Sequence, residues 1–315
     1  MQKKILITGG AGYLGGRISQ YLAHHGYQIR LGVRGKDLDV ADVSTQFERV
    51  EIDFKDDTVL TKACSGVDFI IHLAAMNAEA CGKKPEEALL VNSLGTLKLL
   101  KAAKKNKVTK FLYFSTAHVY GSPLMGEINE ESLPRPLHSY SITHRMSEDY
   151  VIEEAYKAGI STSVFRLTNA VGSPITSRVN CWMLVVNDLC RQVVVSNSIK
   201  VYSNKFLQRD FVSISSVCPI VKSFLDSNVL DGQIVNLSSG VSVTLQYLAV
   251  LIADRSKVVL GFRPRVSFLK KSIDVDIEKL TISNKKLIDL GFKIDGNLSD
   301  EIDQLLLNCK KWFST

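Results

Sequence analysis

Two groups of residues in this chain have the types and spacing to recognise phosphate. The first is Thr8-Gly9-Gly10-Ala11-Gly12-Tyr13-Leu14-Gly15, whose glycines repeat as GxxGxxG between an apolar run and a helix-period segment. A turn this tight needs residues that accept positive φ and let backbone N–H groups approach a pyrophosphate. The helix that follows adds the positive end of its dipole. Strand, glycine turn and helix in this order predict dinucleotide binding, with Gly9, Gly12, Tyr13, Leu14 and Gly15 at the cofactor. The second group selects the dinucleotide. Some ~20 residues further on, an acidic residue reads the ribose 2′-OH of NAD, whereas an arginine suits the 2′-phosphate of NADP. Here Leu31-Gly32-Val33-Arg34-Gly35-Lys36 puts Val33 at the acidic position, and Arg34 follows it. A guanidinium is the preferred fork for phosphate. NADP(H) is therefore favoured over NAD(H).

The elements that must position these groups follow from periodicity. Apolar runs at 4–7, 29–33, 49–52, 69–73, 111–114 and 162–167 read as strands. Between them, 14–25, 58–64, 85–104 and 140–157 read as helices. Strands joined by helical crossovers predict βαβ units and a parallel sheet covered on both faces. Beyond Thr168 the pattern loosens. Short strands at 199–202, 211–214, 234–237 and 266–269 mix with helices at 217–225, 245–253, 285–290 and 298–312. This predicts a dinucleotide-binding domain over 1–168 and a smaller, partly interleaved substrate lobe over 169–315.

Composition narrows the classes. The 315 residues are 45% apolar and 23% charged, which suits a globular protein with a real core. No apolar run approaches the ~18 residues of a membrane span. The opening Met-Gln-Lys-Lys-Ile-Leu-Ile breaks at once into Thr8-Gly9-Gly10, so it lacks a signal-peptide core. Cys64, Cys81, Cys181, Cys190, Cys218 and Cys309 are widely spaced and form no CxxC pair. They read as reduced thiols of a cytoplasmic protein, and no metal site is expected. The net charge of +7 includes a lysine-rich stretch, 101–110, that reads as a solvated helix end rather than a nucleic-acid surface.

Further segments occur in a fixed order. They are Asp53-Phe54, His72-Leu73-Ala74-Ala75, Asn92, Phe114-Ser115-Thr116-Ala117-His118-Val119-Tyr120-Gly121, and Tyr140-Ser141-Ile142-Thr143-His144. Then come Arg166-Leu167-Thr168-Asn169-Ala170-Val171-Gly172 and Gln208-Arg209-Asp210-Phe211. The chain ends with Ile282-Ser283-Asn284-Lys285-Lys286-Leu287 and Leu290-Gly291-Phe292. With the glycine turn, the series resembles the extended short-chain dehydrogenase/reductase family, in its branch of nucleotide-sugar epimerases, dehydratases and reductases. The resemblance spans nearly the whole chain. It implies an α/β fold, a Rossmann-type doubly wound parallel sheet with a smaller C-terminal α/β substrate lobe. It implies Asp53 and Phe54 beside the adenine and Leu73, Ala74 and Ala75 against the cofactor. Thr116 takes the catalytic hydroxyl position and Tyr140 the catalytic phenol. Asn169 and Arg209 fall in segments that meet a nucleotide-sugar substrate, Arg209 at its diphosphate. A homodimer through two long helices, matching 85–104 and 140–157, is also implied, with no nucleic-acid or membrane partner.

One position departs from the family. Its lysine, four residues after the tyrosine, is His144 here. The i, i+4 spacing keeps Tyr140 and His144 on one helix face, and the resemblance implies that both serve catalysis and cofactor binding, where the imidazole can still hydrogen-bond a ribose hydroxyl. A free phenol titrates near about 10, and a neighbouring cation lowers it by roughly 1–3 units. Lysine guarantees that cation at neutral pH and histidine mostly does not. Reduction of a ketone asks Tyr140 only to donate a proton, whereas oxidation asks it first to accept one. The balance favours an NADPH-dependent reductase of a keto sugar. The alternatives are a nucleotide-sugar 4-epimerase passing through a keto intermediate, and an NAD(P)-binding protein weakened in catalysis. A dehydratase is disfavoured because Ala117-His118 stands where such relatives carry an Asp-Glu pair. His118, at the carboxyl edge of the sheet, is a further candidate substrate contact, and His138 a lesser one. Arg145 points elsewhere round the helix and is not expected to replace the lysine.

Overall fold

The apolar runs of the first half form one sheet in the computed structural model, which describes residues 2–35, 46–157, 159–270, 279–294 and 296–314. Packing groups the chain into two compact units. The first comprises residues 1–124, 130–167 and 218–236, and the second 125–129, 168–217 and 237–315.

The first unit carries β1 (Lys4–Thr8), β2 (Gln28–Val33), β3 (Glu48–Glu51), β4 (Phe69–His72), β5 (Lys110–Thr116), β7 (Ser161–Leu167) and β11 (Ile234–Leu237). Their order is β11-β7-β5-β4-β1-β2-β3, and every pairing among the first six of these in the chain is parallel. This is the doubly wound arrangement, and chain order reverses between β1 and β4, where such sheets open a crevice for ligands. Register brings the carboxyl ends level there: Thr8 pairs with Gly32 on one side and His72 on the other, and His72 pairs with Tyr113. Apart from the edge strand β3 the strands are mostly buried, because helices α1 (Tyr13–His24), α2 (Asp57–Ala63), α5 (Gly95–Lys105) and α6 (Ser139–Tyr156) accompany them. One core joins Leu6, Ile70, Leu99, Phe111, Val151 and Val164.

Three local readings change. The helix expected over 85–104 forms, but it is not α-helical throughout. After α3 (Ala78–Lys83), α4 (Pro85–Ala88) runs into a π-turn, Leu89–Leu94, before α5 begins. The strand at 234–237, expected in the second lobe, forms the edge of the large sheet beyond β7. Lys110 is not a solvated helix end: it is 8% exposed, and its Nζ donates to the carbonyls of Phe224, at 2.8 Å, and Ser227.

The second unit holds β6 (Gly126–Ile128), β8 (Asn169–Val171), β9 (Ser198–Val201), β10 (Gln208–Ser213), β12 (Ser242–Thr244), β13 (Arg265–Phe268) and β14 (Leu280–Ile282). They form a β12-β10-β8 sheet and the pairs β13-β9 and β14-β6. Helices α7 (Val185–Ser196), α9 (Leu245–Leu260) and α11 (Leu298–Phe313) bury Val186, Leu189, Val193, Leu248, Ile252, Ile302 and Leu305 together. Helix α8 (Ile214–Asp226) passes from one unit into the other, and α10 (Lys285–Asp289) follows β14. Trp182 packs edge-on against Trp312 and Phe313, and Phe211 is buried, so these aromatics serve the core.

Candidate active site

The glycine turn is built for close approach of backbone to backbone. Gly9 has φ +68°, and a Cβ there would sit 3.1 Å from Ala74 N. At Gly15 a Cβ would collide with the Gly9 carbonyl. The turn is braced from within: Gly10 N donates to Ile7 O at 3.1 Å and Gly12 N to Gly9 O at 2.9 Å. Helix α1 then starts at Tyr13 with no side-chain cap and no acidic residue in its first turn. A helix N-terminus with no carboxylate near it favours an anion. The turn thus fits the pyrophosphate of a dinucleotide.

Behind the turn runs a line of buried hydroxyls and imidazoles. His72 is 1% exposed, with Nδ1 2.7 Å from Thr8 Oγ1 and Nε2 3.0 Å from Thr96 Oγ1. The Thr96 hydroxyl spends its one proton on Asn92 O, at 2.5 Å, so it accepts from His72 Nε2–H. Thr8 Oγ1 accepts from the N–H groups of Leu73 and Ala74, each at 3.3 Å, and donates to His72 Nδ1. His72 is therefore a neutral imidazole with both nitrogens engaged. Burial, and then repulsion from His144 once both rings take up protons, push its pKa down to about 3. Asn92, on the π-turn, donates to Thr143 Oγ1 at 3.0 Å and accepts from Met76 N at 2.8 Å.

Thr116 ends β5 and is 6% exposed, with Oγ1 accepting from His118 N at 3.2 Å. Tyr140 stands in the first turn of α6, half-buried, its hydroxyl end desolvated. Burial pushes that hydroxyl up to about 12; the Thr116 side chain bonds to it and pulls the other way, and the Cys81 thiol raises it further. One helical turn on, His144 is 3% exposed and meets the Tyr140 ring edge-on at 4.5 Å between centroids. Its Nδ1 lies 2.7 Å from the hydroxyl of Tyr113, and its Nε2 is buried with no hydrogen-bond partner. Burial alone lowers the His144 pKa to about 4. At neutral pH the ring beside Tyr140 therefore carries no charge. Arg145 turns away to Glu148 and Asp149.

The other predicted residues divide. Leu73 and Ala74 lie against the glycine turn, and Ala75 follows them exposed. Asp53 is exposed and accepts from Lys55 N at 2.9 Å, while Phe54 packs on Gly95 and, at 5.6 Å, the His72 ring. Arg34 is exposed directly after β2, and Lys36 is outside the described residues. His118 faces His138, whose ring lies 6.2 Å from Tyr140. His138 also caps α6, Nδ1 accepting from Ser141 N at 3.3 Å. In the second unit, Asn169 does not hold its amide open: Nδ2 donates to Asp210 O at 2.7 Å. Arg209 is half-buried on β10, lowered in pKa by desolvation, and has no ion pair among the described residues. The neighbouring Asp210 is engaged elsewhere, by Thr168 and Ser239. Arg166, in a segment expected to line a substrate site, is a core residue. It is 1% exposed and donates to both oxygens of Glu148, at 3.0 and 2.7 Å.

The sequence reading overlooked Tyr113, Thr8 and Thr96. Their signal was present: a phenol in the buried run Phe111-Leu112-Tyr113-Phe114 must find a polar partner. Among the described residues no cluster of three His, Cys, Asp or Glu could hold a metal, and no helix is long and apolar enough to cross a membrane.

Residues 5–238 match the family described as the NAD dependent epimerase/dehydratase family. The GDP-6-deoxy-D-talose 4-dehydrogenase of Aggregatibacter actinomycetemcomitans is 24% identical over 297 residues, which cover 91% of this chain and 90% of that protein. Among solved structures, the UDP-glucose 4-epimerase of Thermotoga maritima with UDP-glucose superposes with a TM-score of 0.81 at 21% identity, covering 98% of this chain and 99% of its own. RMD from Pseudomonas aeruginosa, complexed with NADPH, gives 0.79 at 21% identity over 98% of this chain and 100% of its own.

Proposed function

The chain belongs to the NAD dependent epimerase/dehydratase family, and we propose that it is an NADP(H)-dependent reductase of a nucleotide-activated keto sugar. The observation that carries this reading is the neutral ring of His144 beside a phenol whose pKa is about 12. Tyr140 keeps its proton through the neutral range and has no cation to help it give one up. Such a phenol is a poor base and a serviceable acid. Bound at the glycine turn, the nicotinamide nucleotide supplies hydride. Tyr140 delivers its proton to the carbonyl oxygen as alkoxide character develops. Thr116 Oγ1 orients that oxygen, and His118 reaches the sugar. Gly9, Gly12, Tyr13, Leu14 and Gly15 hold the pyrophosphate, with Leu73, Ala74 and Ala75 lining the cofactor and Asp53 and Phe54 near the adenine. We assign the 2′-phosphate to Arg34 and the substrate diphosphate to Arg209, a desolvated guanidinium with no ion pair among the described residues. Asn169 contributes from β8.

A 4-epimerase is the second reading, supported by the likeness to a structure solved with UDP-glucose. Stopped-flow absorbance at 340 nm separates the two. A reductase consumes NADPH stoichiometrically with a nucleoside-diphosphate 4-keto sugar, and an epimerase interconverts UDP-sugars over retained cofactor with no net change. Binding of nicotinamide nucleotide without either reaction would mark a protein weakened in catalysis. The leucines Leu89, Leu90 and Leu94 are exposed on the π-turn, and Ile142 and Met146 on the adjoining α6. They supply an apolar face for a homodimer, which sedimentation equilibrium tests. The six free, buried cysteines support a reducing, cytoplasmic setting.

A further inference from the structure

We propose that Tyr113 is a positioning residue that locks His144 as its Nε2–H tautomer, presenting an uncharged donor to a hydroxyl of the bound nicotinamide nucleotide. The inference rests on the cofactor reading above. Tyr113 Oη and His144 Nδ1 are 2.7 Å apart, and the two residues are 2% and 3% exposed. The proton between them belongs to the phenol, whose other neighbour, the Ser147 hydroxyl, is the weaker acceptor. A phenol is a far stronger acid than a neutral imidazole N–H, and an imidazole nitrogen is the better acceptor. Burial keeps both partners uncharged, raising Tyr113 well above its ordinary value and lowering His144. Once Tyr113 donates to Nδ1, the single ring proton must sit on Nε2.

Among the described residues that proton finds no acceptor, because Nε2 is buried without a partner there. A buried donor left without an acceptor calls for an explanation. His72 shows that the same protein can satisfy both nitrogens of a buried histidine. The groups facing His144 are Tyr113 on β5, Tyr140 on α6 and His72 on β4. None of them is charged at neutral pH. Glu148, one turn along α6, is held by Arg166 and Arg145. Among the described residues no carboxylate acts on the ring to make it an imidazolium, and the site offers hydrogen-bond direction without charge. A ribose hydroxyl, which accepts as well as donates, matches that donor.

Long-range 15N–1H NMR of the full chain tests this, with His144 assigned by His144→Gln. The expected spectrum without cofactor shows His144 as Nε2–H, with no titration between about pH 5 and 8. NADPH should then shift the Nε2–H signal. Tyr113→Phe should spread His144 over both tautomers, move its protonation toward the ordinary histidine range, and weaken NADPH binding about 5- to 10-fold. A wild-type Nδ1–H tautomer, or an imidazolium at neutral pH, overturns the inference while leaving cofactor binding intact. So does NADPH binding that leaves His144 unmoved. Should Tyr113→Phe fail to fold, the wild-type tautomer alone decides. If neither NADPH nor NADH binds, the ligand assigned to Nε2–H falls together with the proposed function.

Discussion

His72 and His144 are both buried histidines in one line of polar side chains, with the Tyr113 ring between them, yet they are finished differently. Around His72 each nitrogen meets a threonine hydroxyl, and those threonines bond on to backbone at Leu73 and Ala74 and at Asn92. Around His144 one nitrogen meets a phenol and the other meets no partner among the described residues. Saturation marks a group that holds the architecture. An unfilled valence in an equally dry place marks one whose partner comes from outside. Residue type and burial alone could not have told the two apart.

The largest test of this contrast is Tyr140→Phe. If chemistry lies on the unfilled side, turnover should drop by about 10²- to 10⁴-fold while the fold persists, as circular dichroism would register. Retained turnover would reduce His144 to a packing defect. Acid stability comes next. Both imidazoles are neutral in the fold, with pKa values near 3 and 4 against an ordinary 6.5. Unfolding lets them take up protons, so their contribution is intact above about pH 6.5 and declines as pH falls toward 4 and then 3. The slope approaches about 1.4 kcal/mol per pH unit for each histidine. Urea midpoints at descending pH should fall accordingly, and a flat profile would contradict the burial of both.

Third, His72→Ala should cost about 2–4 kcal/mol, since it strands two hydroxyls as well as leaving a void. A loss no larger than that of a surface substitution would mean the saturated side supports nothing. The smallest effect is the coupling between Tyr113 and His144. Unfolding of Tyr113→Phe, His144→Leu and the double variant should reveal an interaction of at least about 0.5 kcal/mol. Strict additivity would mean that the 2.7 Å contact has no energetic content.

Much of this was legible in the amino-acid order. The glycine turn, its strand and its helix fall within a residue or two of where periodicity puts them, because a fully buried strand and a glycine-rich turn each have few other solutions. Val185-Val186-Asn187-Asp188-Leu189-Cys190 was not legible as the start of a helix. Its β-branched residues speak for strand, and burial of Val186, Leu189 and Val193 against α9 and α11 overrides them. Pairing lies beyond a one-dimensional reading. Arg166 and Arg209 look equivalent in sequence, and only the position of Glu148 shows that the first is spoken for. Tyr113 escaped notice for a similar reason: its partner is 31 residues away.

The π-turn at Leu89–Leu94 sets a constraint on length rather than identity. Such a turn amounts to one residue too many for an α-helix, and each residue of a helix accounts for about 100° of rotation. Deleting any one of the six would let α4 and α5 fuse, swinging one half of the segment round the axis against the other. Asn92 could not then keep Met76, Thr143, Thr96 and Ser147 in reach at once. A conservative exchange within the turn should therefore do less harm than a single-codon deletion there, which should not be tolerated.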